Sequence, residues 1–183
     1  MPKKVAINGF GRIGRAFFKL VLQQAQDRLE IVAINDLGDL ENLAYLLKYD
    51  SAYGRFDKNV SVKSGELTVG SQSYKFLQEK DLIKLPWKEL GVDIVVESSG
   101  AFETFDKIKT HINVGAKRVV LTAPAKDEDS DEAKTVLMGV NEDDLKTCSI
   151  SSNGSCTTNS ASSLLQILSE TVGVKKAFLC TIH

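Results

Sequence analysis

The chain has 183 residues, 43% hydrophobic and 26% charged, with a net charge of -1. That length suits one domain or slightly more, and the composition suits a buried core under a polar surface. The near-neutral charge removes any electrostatic case for a nucleic-acid or membrane partner, and no apolar run approaches the roughly 20 residues that span a bilayer. Cys148, Cys156 and Cys180 are odd in number and lack CxxC spacing, so a disulfide framework is not expected and a reducing cytoplasm fits better. His111 and His183 make no metal-ligand pattern with them, and no metal is expected. The N-terminal MPKKVAING runs straight into a strand and does not read as a signal peptide.

Residues 4–8 (KVAIN) form a short β-branched run, followed at once by Gly9-Phe10-Gly11-Arg12-Ile13-Gly14 and an amphipathic helical pattern over residues 15–24. GxGxxG alone is weak, but strand, glycine turn and helix are the context of dinucleotide binding. The first glycine allows the turn, the second lets backbone approach a pyrophosphate, and the third packs helix on strand. Residues 30–35 (EIVAIN) give a second strand. Asp36 stands at its end, 22 residues after Gly14, where an acid bonds ribose hydroxyls and repels a 2′-phosphate. This favours NAD over NADP; the plain alternative is that Asp36 caps the helix predicted over residues 40–47.

Residues 49–56 read as a polar, aromatic-rich loop. Residues 59–76 alternate and predict short antiparallel strands inserted in the parallel core. Lys80 lies in a charged turn, a surface lysine by default. Residues 85–91 suggest a short helix and turn, and residues 92–97 (VDIVVE) a buried strand. It ends at Ser98-Ser99-Gly100, small residues at the edge where cofactors lie in open α/β sheets. A helix is predicted over 104–114, with His111 as a surface or cap residue, and strands over 117–122, 135–140 and 147–151, with a helical turn over 141–145.

The last strand delivers the chain to Ser151–Ser160 (SSNGSCTTNS), ahead of a helical run that Gly173 ends. Cys156 then falls in the first turn of a helix. There, unpaired N–H groups and the helix dipole favour an anion such as a thiolate, and Ser155, Thr157, Thr158 and Asn159 can bond a small polar ligand. The reading is an activated nucleophile; the alternative is a buried cysteine beside an ordinary cap. Residues 175–181 read as one more strand. With nothing after it to pair with, it suggests an incomplete sequence. The alternation as a whole predicts an α/β fold: a doubly wound, mainly parallel Rossmann-type sheet with helices on both faces. The expected division is an NAD-binding domain over 1–154 and the start of a truncated catalytic domain over 155–183.

The motifs Ala6-Ile7-Asn8-Gly9-Phe10-Gly11-Arg12-Ile13-Gly14-Arg15, Ala33-Ile34-Asn35-Asp36, Leu47-Lys48-Tyr49-Asp50-Ser51, Gly54-Arg55-Phe56, Glu97-Ser98-Ser99-Gly100, Ala123-Pro124-Ala125-Lys126-Asp127 and Ser155-Cys156-Thr157-Thr158-Asn159 run from end to end of the chain. In this order the chain resembles the phosphorylating glyceraldehyde-3-phosphate dehydrogenases. The resemblance implies that Cys156 attacks an aldehyde, and that His183, 27 residues on, raises its nucleophilicity and acts as base. It implies that Phe10, Gly11, Arg12 and Ile13 form the pyrophosphate turn, and that Asp36 is the ribose acid. Lys80, Ser98 and Thr122 match weaker NAD contacts. Ser155 and Thr157 match part of a site for glyceraldehyde 3-phosphate and inorganic phosphate.

The sequence departs from the family at Lys80, where many members have arginine, and at Ser160-Ala161-Ser162-Ser163, where many have cysteine and a proline stretch. Members also continue for roughly as many residues again, carrying most of the substrate domain, most of the subunit interface of a homotetramer, and a C-terminal helix that packs back on the cofactor domain. Three alternatives stay open: an NAD-binding fragment without turnover, an erythrose 4-phosphate enzyme and, more remotely, a semialdehyde dehydrogenase.

Overall fold

The computed structural model describes residues 1–182; His183 lies outside them. In chain order the elements are β1 (Lys3–Asn8), α1 (Arg12–Gln24), β2 (Leu29–Asn35), α2 (Leu40–Lys48), β3 (Tyr49–Asp50), β4 (Gly54–Arg55), β5 (Val60–Lys63), β6 (Glu66–Val69), β7 (Gln72–Leu77), α3 (Trp87–Leu90), β8 (Ile94–Glu97), α4 (Phe105–Ile108), α5 (Thr110–Asn113), β9 (Arg118–Leu121), β10 (Ala133–Thr135), β11 (Ile150–Ser152) and α6 (Cys156–Thr171). Nine strands form one sheet in the order β10-β11-β9-β8-β1-β2-β7-β6-β5. All neighbours from β10 to β7 pair parallel. This is the α/β, Rossmann-type architecture that the strand–helix alternation predicts.

Side chains alternate across the sheet because successive residues of a strand face opposite ways. Ala6, Ala33, Val95, Val119 and Leu121 pack with Trp87, Phe105 and Ile108 of α3 and α4. Ile7 and Ile34 pack on the other face, with Phe18 and Val21 of α1 and Leu43 and Leu47 of α2. Each cluster removes many aliphatic and aromatic side chains from water, each worth about 1.5–3 kcal/mol when fully buried. A bulge at Val32 shifts the β1–β2 register by one residue, so Ile31 and Ile34 both serve the α1–α2 side.

Several local expectations are corrected. The antiparallel strands are not inserted in the parallel core. β5 and β6 extend the sheet at one edge, where β7 pairs parallel with β2 and antiparallel with β6. The loop over 49–56 contains a two-stranded hairpin, β3–β4. The helix over 104–114 is two short helices that meet at Lys109. The strand expected over 135–140 ends at Thr135: Val136 N–H makes a last bond to the Ser152 carbonyl, and the Asn141 side chain then accepts from Leu137 N–H and donates to the Thr135 carbonyl, turning the chain away with Val136 and Leu137 buried. The next strand starts late, at Ile150, because the 3-10 turn Glu142–Lys146 holds Thr147 and Cys148 N–H on the Asp144 carbonyl. Residues 175–181 make no strand, and Phe178 and Leu179 stand exposed.

Candidate functional site

The sheet grows from β1 through β2 to β7 in one direction, then the chain returns to β8 on the other side of β1 and grows through β9. Between β1 and β8 the connections diverge to opposite sides, and a crevice opens there beyond the strands' C-terminal ends, where ligands of open α/β sheets bind. It measures about 500 Å³, and its lining includes Gly9, Gly11, Asp36, Lys80, Ser98 and Ser99.

The glycine turn is shaped by contact on two sides and room on the third. Gly9 has φ +94, and a Cβ on it would sit 2.3 Å from Ser99 N. A Cβ on Gly14 would sit 2.1 Å from the Gly9 carbonyl oxygen. Gly11 is the opposite case: nothing lies within 4 Å of its added Cβ. It is also the N-cap of α1, with no side-chain cap and no acid in the first turn, so first-turn N–H groups are left for an anion. Room at Gly11, contact at Gly9 and Gly14, and an uncapped helix start fit a dinucleotide pyrophosphate. Phe10 is buried, while Arg12 and Ile13 are exposed in the first turn of α1, which begins at Arg12 rather than Arg15.

Asp36 reaches back to this turn. Its Oδ2 accepts from Phe10 N–H at 2.6 Å and its Oδ1 from Gly38 N–H at 2.7 Å. A carboxylate has about four acceptor positions, so two bonds leave room for ribose hydroxyls. The cap of α2 is Asp39, not Asp36. Arg15 supports the turn from below, its Nη1 donating to the Phe10 carbonyl at 2.8 Å. Burial pulls the Arg15 pKa down, against the pull of Asp50 and Asp36. Ser98 closes the opposite wall, its Oγ donating to the Gly9 carbonyl at 2.6 Å. Lys80 is exposed and lines the crevice.

Thr122 does not line this crevice. It lies in a second, mostly apolar groove of about 660 Å³ whose lining includes Ile13, Phe17, Val96, Val120, Ser155, Cys156 and Asn159. The two cavities flank the start of α1, with Gly11 lining one and Ile13 the other. Cys156 is the first residue of α6 and is exposed, so the buried alternative does not hold. Ser155 is the N-cap, its Oγ accepting from Thr158 N–H at 3.0 Å. Thr157 Oγ1 lies 4.0 Å from the Cys156 sulfur, and Asn159 Nδ2 donates to the Asn153 and Ser155 carbonyls, fixing the approach to the helix. His183, the expected base, lies outside the described residues.

His111 is not a surface or cap residue. It is fully buried between Trp87 and Glu97. Asn8 and Asn35 also line the crevice, a role the sequence reading did not assign them, whereas Ser99 lines it at the strand edge expected for a cofactor. The signal was present: each strand entering the crevice ends its apolar run on a polar residue, Asn8, Asn35 or Glu97.

Residues 3–105 match the family model described as the glyceraldehyde 3-phosphate dehydrogenase NAD binding domain. The chain belongs to the glyceraldehyde-3-phosphate dehydrogenase family. It is 46% identical over 181 residues to the glyceraldehyde-3-phosphate dehydrogenase of Thermotoga maritima, covering 98% of this chain and 53% of that protein. It is 46% identical over 185 residues to that of Streptomyces coelicolor (100% and 54%) and 45% identical over 181 residues to that of Clostridium pasteurianum (98% and 52%). The chain spans about half the length of the curated relatives it matches. Its glycine turn, Asp36 and Ser98 thus lie within the matched NAD-binding domain of this dehydrogenase family, and the cofactor is NAD.

Proposed function

We propose that the chain is the NAD-binding half, with the nucleophile, of an enzyme that oxidises glyceraldehyde 3-phosphate and phosphorylates the product to 1,3-bisphosphoglycerate in glycolysis. The observation that carries this is the exposed Cys156 at the start of α6, in a groove separated from the NAD crevice only by the start of α1. NAD held by the glycine turn, Asp36, Lys80 and Ser98 supplies a hydride acceptor. The chain's own residues do the rest. The Cys156 thiol passes its proton to His183 as the sulfur adds to the aldehyde carbon, and the carbonyl oxygen takes that proton up to give a thiohemiacetal. Ser155 and Thr157 hold substrate or phosphate oxygens. His183 takes the hydroxyl proton as hydride leaves, giving a thioester whose C–S bond phosphate breaks, returning the thiolate. Residues 155–183 are read as the start of the catalytic domain, the whole protein as a homotetramer, and its location as the cytoplasm, where cysteines stay reduced.

A second reading applies to the 183 residues by themselves: an NAD-binding module without turnover. α6 supports it, since none of its residues is buried. NADH formation from glyceraldehyde 3-phosphate, phosphate and NAD separates the two. The expectation is saturable NAD binding without turnover for this chain alone. When the chain is joined to a relative's C-terminal half, turnover should appear and fall by roughly three orders of magnitude or more in Cys156→Ser. Equal turnover in that variant overturns the assignment of the nucleophile. Faster turnover with erythrose 4-phosphate moves the substrate to that aldehyde.

A further inference from the structure

Beneath the crevice runs a buried polar chain that the reaction above does not use. Glu97, the last residue of β8, is wholly buried, and among the described residues no lysine or arginine pairs with it. Its neighbours are all hydrogen-bond donors. Oε2 accepts from Asn8 Nδ2 at 2.5 Å and faces His111 Nε2 at 3.0 Å. Oε1 accepts from Ser99 N–H at 2.8 Å and from Ser99 Oγ at 2.6 Å. Trp87 settles the histidine: its indole Nε1 can only donate, and it points at His111 Nδ1 at 2.9 Å. His111 Nδ1 is therefore the acceptor, and the ring proton sits on Nε2 and goes to Glu97. The chain continues the other way, as Asn35 Nδ2 donates to Asn8 Oδ1 at 2.7 Å, and Asn35 exchanges two bonds of 2.9 Å with the Glu79 backbone.

We propose that Glu97 is a positioning residue for NAD, clamping the Ser98-Ser99 wall of the crevice to the strand ends beneath it, with His111 held in its Nε2–H form as the donor that supports the clamp. The proposal rests on the reading that NAD lies in this crevice. The two oxygens divide the work. Oε2 is tied to the core side, through Asn8 of β1 and His111 of α5, and Oε1 to the wall. That wall touches the glycine turn directly, since Ser98 Oγ bonds the Gly9 carbonyl and the Gly9 α-carbon faces Ser99 N. A shift of Ser99 is thus a shift of the pyrophosphate turn. Only an acceptor-only group satisfies four donors at once. A glutamine must turn its NH₂ toward either the Asn8–His111 pair or Ser99, and either choice opposes donor to donor.

Calorimetric NAD titration of the 183-residue chain, with melting followed by circular dichroism, tests this. Glu97→Gln should remain folded and bind NAD about tenfold more weakly than wild type. Trp87→Phe removes packing behind the histidine but leaves its Nε2–H free to serve Glu97; it should lose stability while keeping NAD affinity. A buried network serving stability alone predicts that affinity follows stability in both variants, and that pattern overturns the proposal, as does unchanged affinity in Glu97→Gln. If Glu97→Gln does not fold, ¹⁵N NMR of the wild type decides. The expected spectrum is His111 as the Nε2–H tautomer, with that resonance shifting when NAD is added although the ring is fully buried. An Nδ1–H or doubly protonated ring, or a resonance indifferent to NAD, refutes the clamp. Absence of NAD binding by the wild type removes the crevice reading together with the clamp, whereas normal wild-type binding with an indifferent Glu97→Gln removes the clamp alone.

Discussion

Gly11 and Gly14, three residues apart, set opposite demands on the same turn, and substitution separates them. At Gly11 a side chain meets nothing, and the backbone angles there (φ -70, ψ -158) suit any residue. Gly11→Val is expected to melt like wild type and to lose NAD binding, because its methyl groups fill the room left for the pyrophosphate. At Gly14 a Cβ meets the Gly9 carbonyl at 2.1 Å, so Gly14→Ala should lower stability by about 1–3 kcal/mol, the usual cost of overpacking. Parallel denaturant melts and NAD titrations check both; a destabilised Gly11→Val or an indifferent Gly14→Ala contradicts the account. These roles were legible in the spacing Gly9-x-Gly11-x-x-Gly14, since strand and helix flank it. The role of His111 was not. A histidine inside the polar run THIN gives no sign of burial, and its partners Trp87 and Glu97 come from other elements.

Ion pairs stitch successive elements together near the far side of the sheet. Asp93, just before β8, pairs with Lys117 ahead of β9 at 2.6 Å, and that bond, with Lys4 N–H, holds its carboxyl below the usual range. Asp144 in the 142–146 turn pairs with Lys134 of β10 at 2.8 Å, which together with Asn141 holds it low as well. A carboxylate with a depressed folded pKa adds stability above its unfolded pKa and loses it as pH falls through the folded value. Stability should therefore stay level down to about pH 5 and decline below about pH 4, and the decline should be shallower in Asp93→Asn with Asp144→Asn. Lys134, raised by the same bond, stays charged throughout that window and adds no slope. Thermal melts across pH 2.5 to 7 (roughly the range where carboxyls titrate) check the sign.

The helix α6 makes a further demand at this scale. Leu164, Leu165, Ile167, Leu168 and Val172 are all exposed, a contiguous apolar surface of the kind that drives association. The 183-residue chain should self-associate with rising concentration, and Leu164→Glu with Ile167→Glu should reduce this. Sedimentation that shows a monomer at every concentration speaks against it. The helix itself was readable from its spacing and from the SCTTN cap; its lack of burial was not, because burial depends on what packs against it.

For the whole molecule, the decisive property is where the sheet reverses its direction of growth. Strand, turn and helix patterns made the parallel order around β1, β2, β8 and β9 legible, since each strand is a short apolar run bounded by glycine or polar residues. Edge strands escaped that reading. β10 has three residues, and β5 and β6 join the sheet only through β7, which pairs parallel with β2, a strand distant in sequence. Pairing of that kind is chosen by tertiary packing, and alternation alone cannot say which edge a hairpin joins. The Cys156 groove was illegible for the same reason: Ile13, Val96, Val120 and Cys156 meet only once the sheet has formed.

Trp87 is the chain's one tryptophan, fully buried and bonded to His111. All indole fluorescence therefore arises from one place, two hydrogen-bonded side chains away from Ser99 at the wall of the cofactor crevice. Its emission should be blue-shifted in the native state. Without any label, it makes the floor of the crevice proposed for NAD visible in the intact chain.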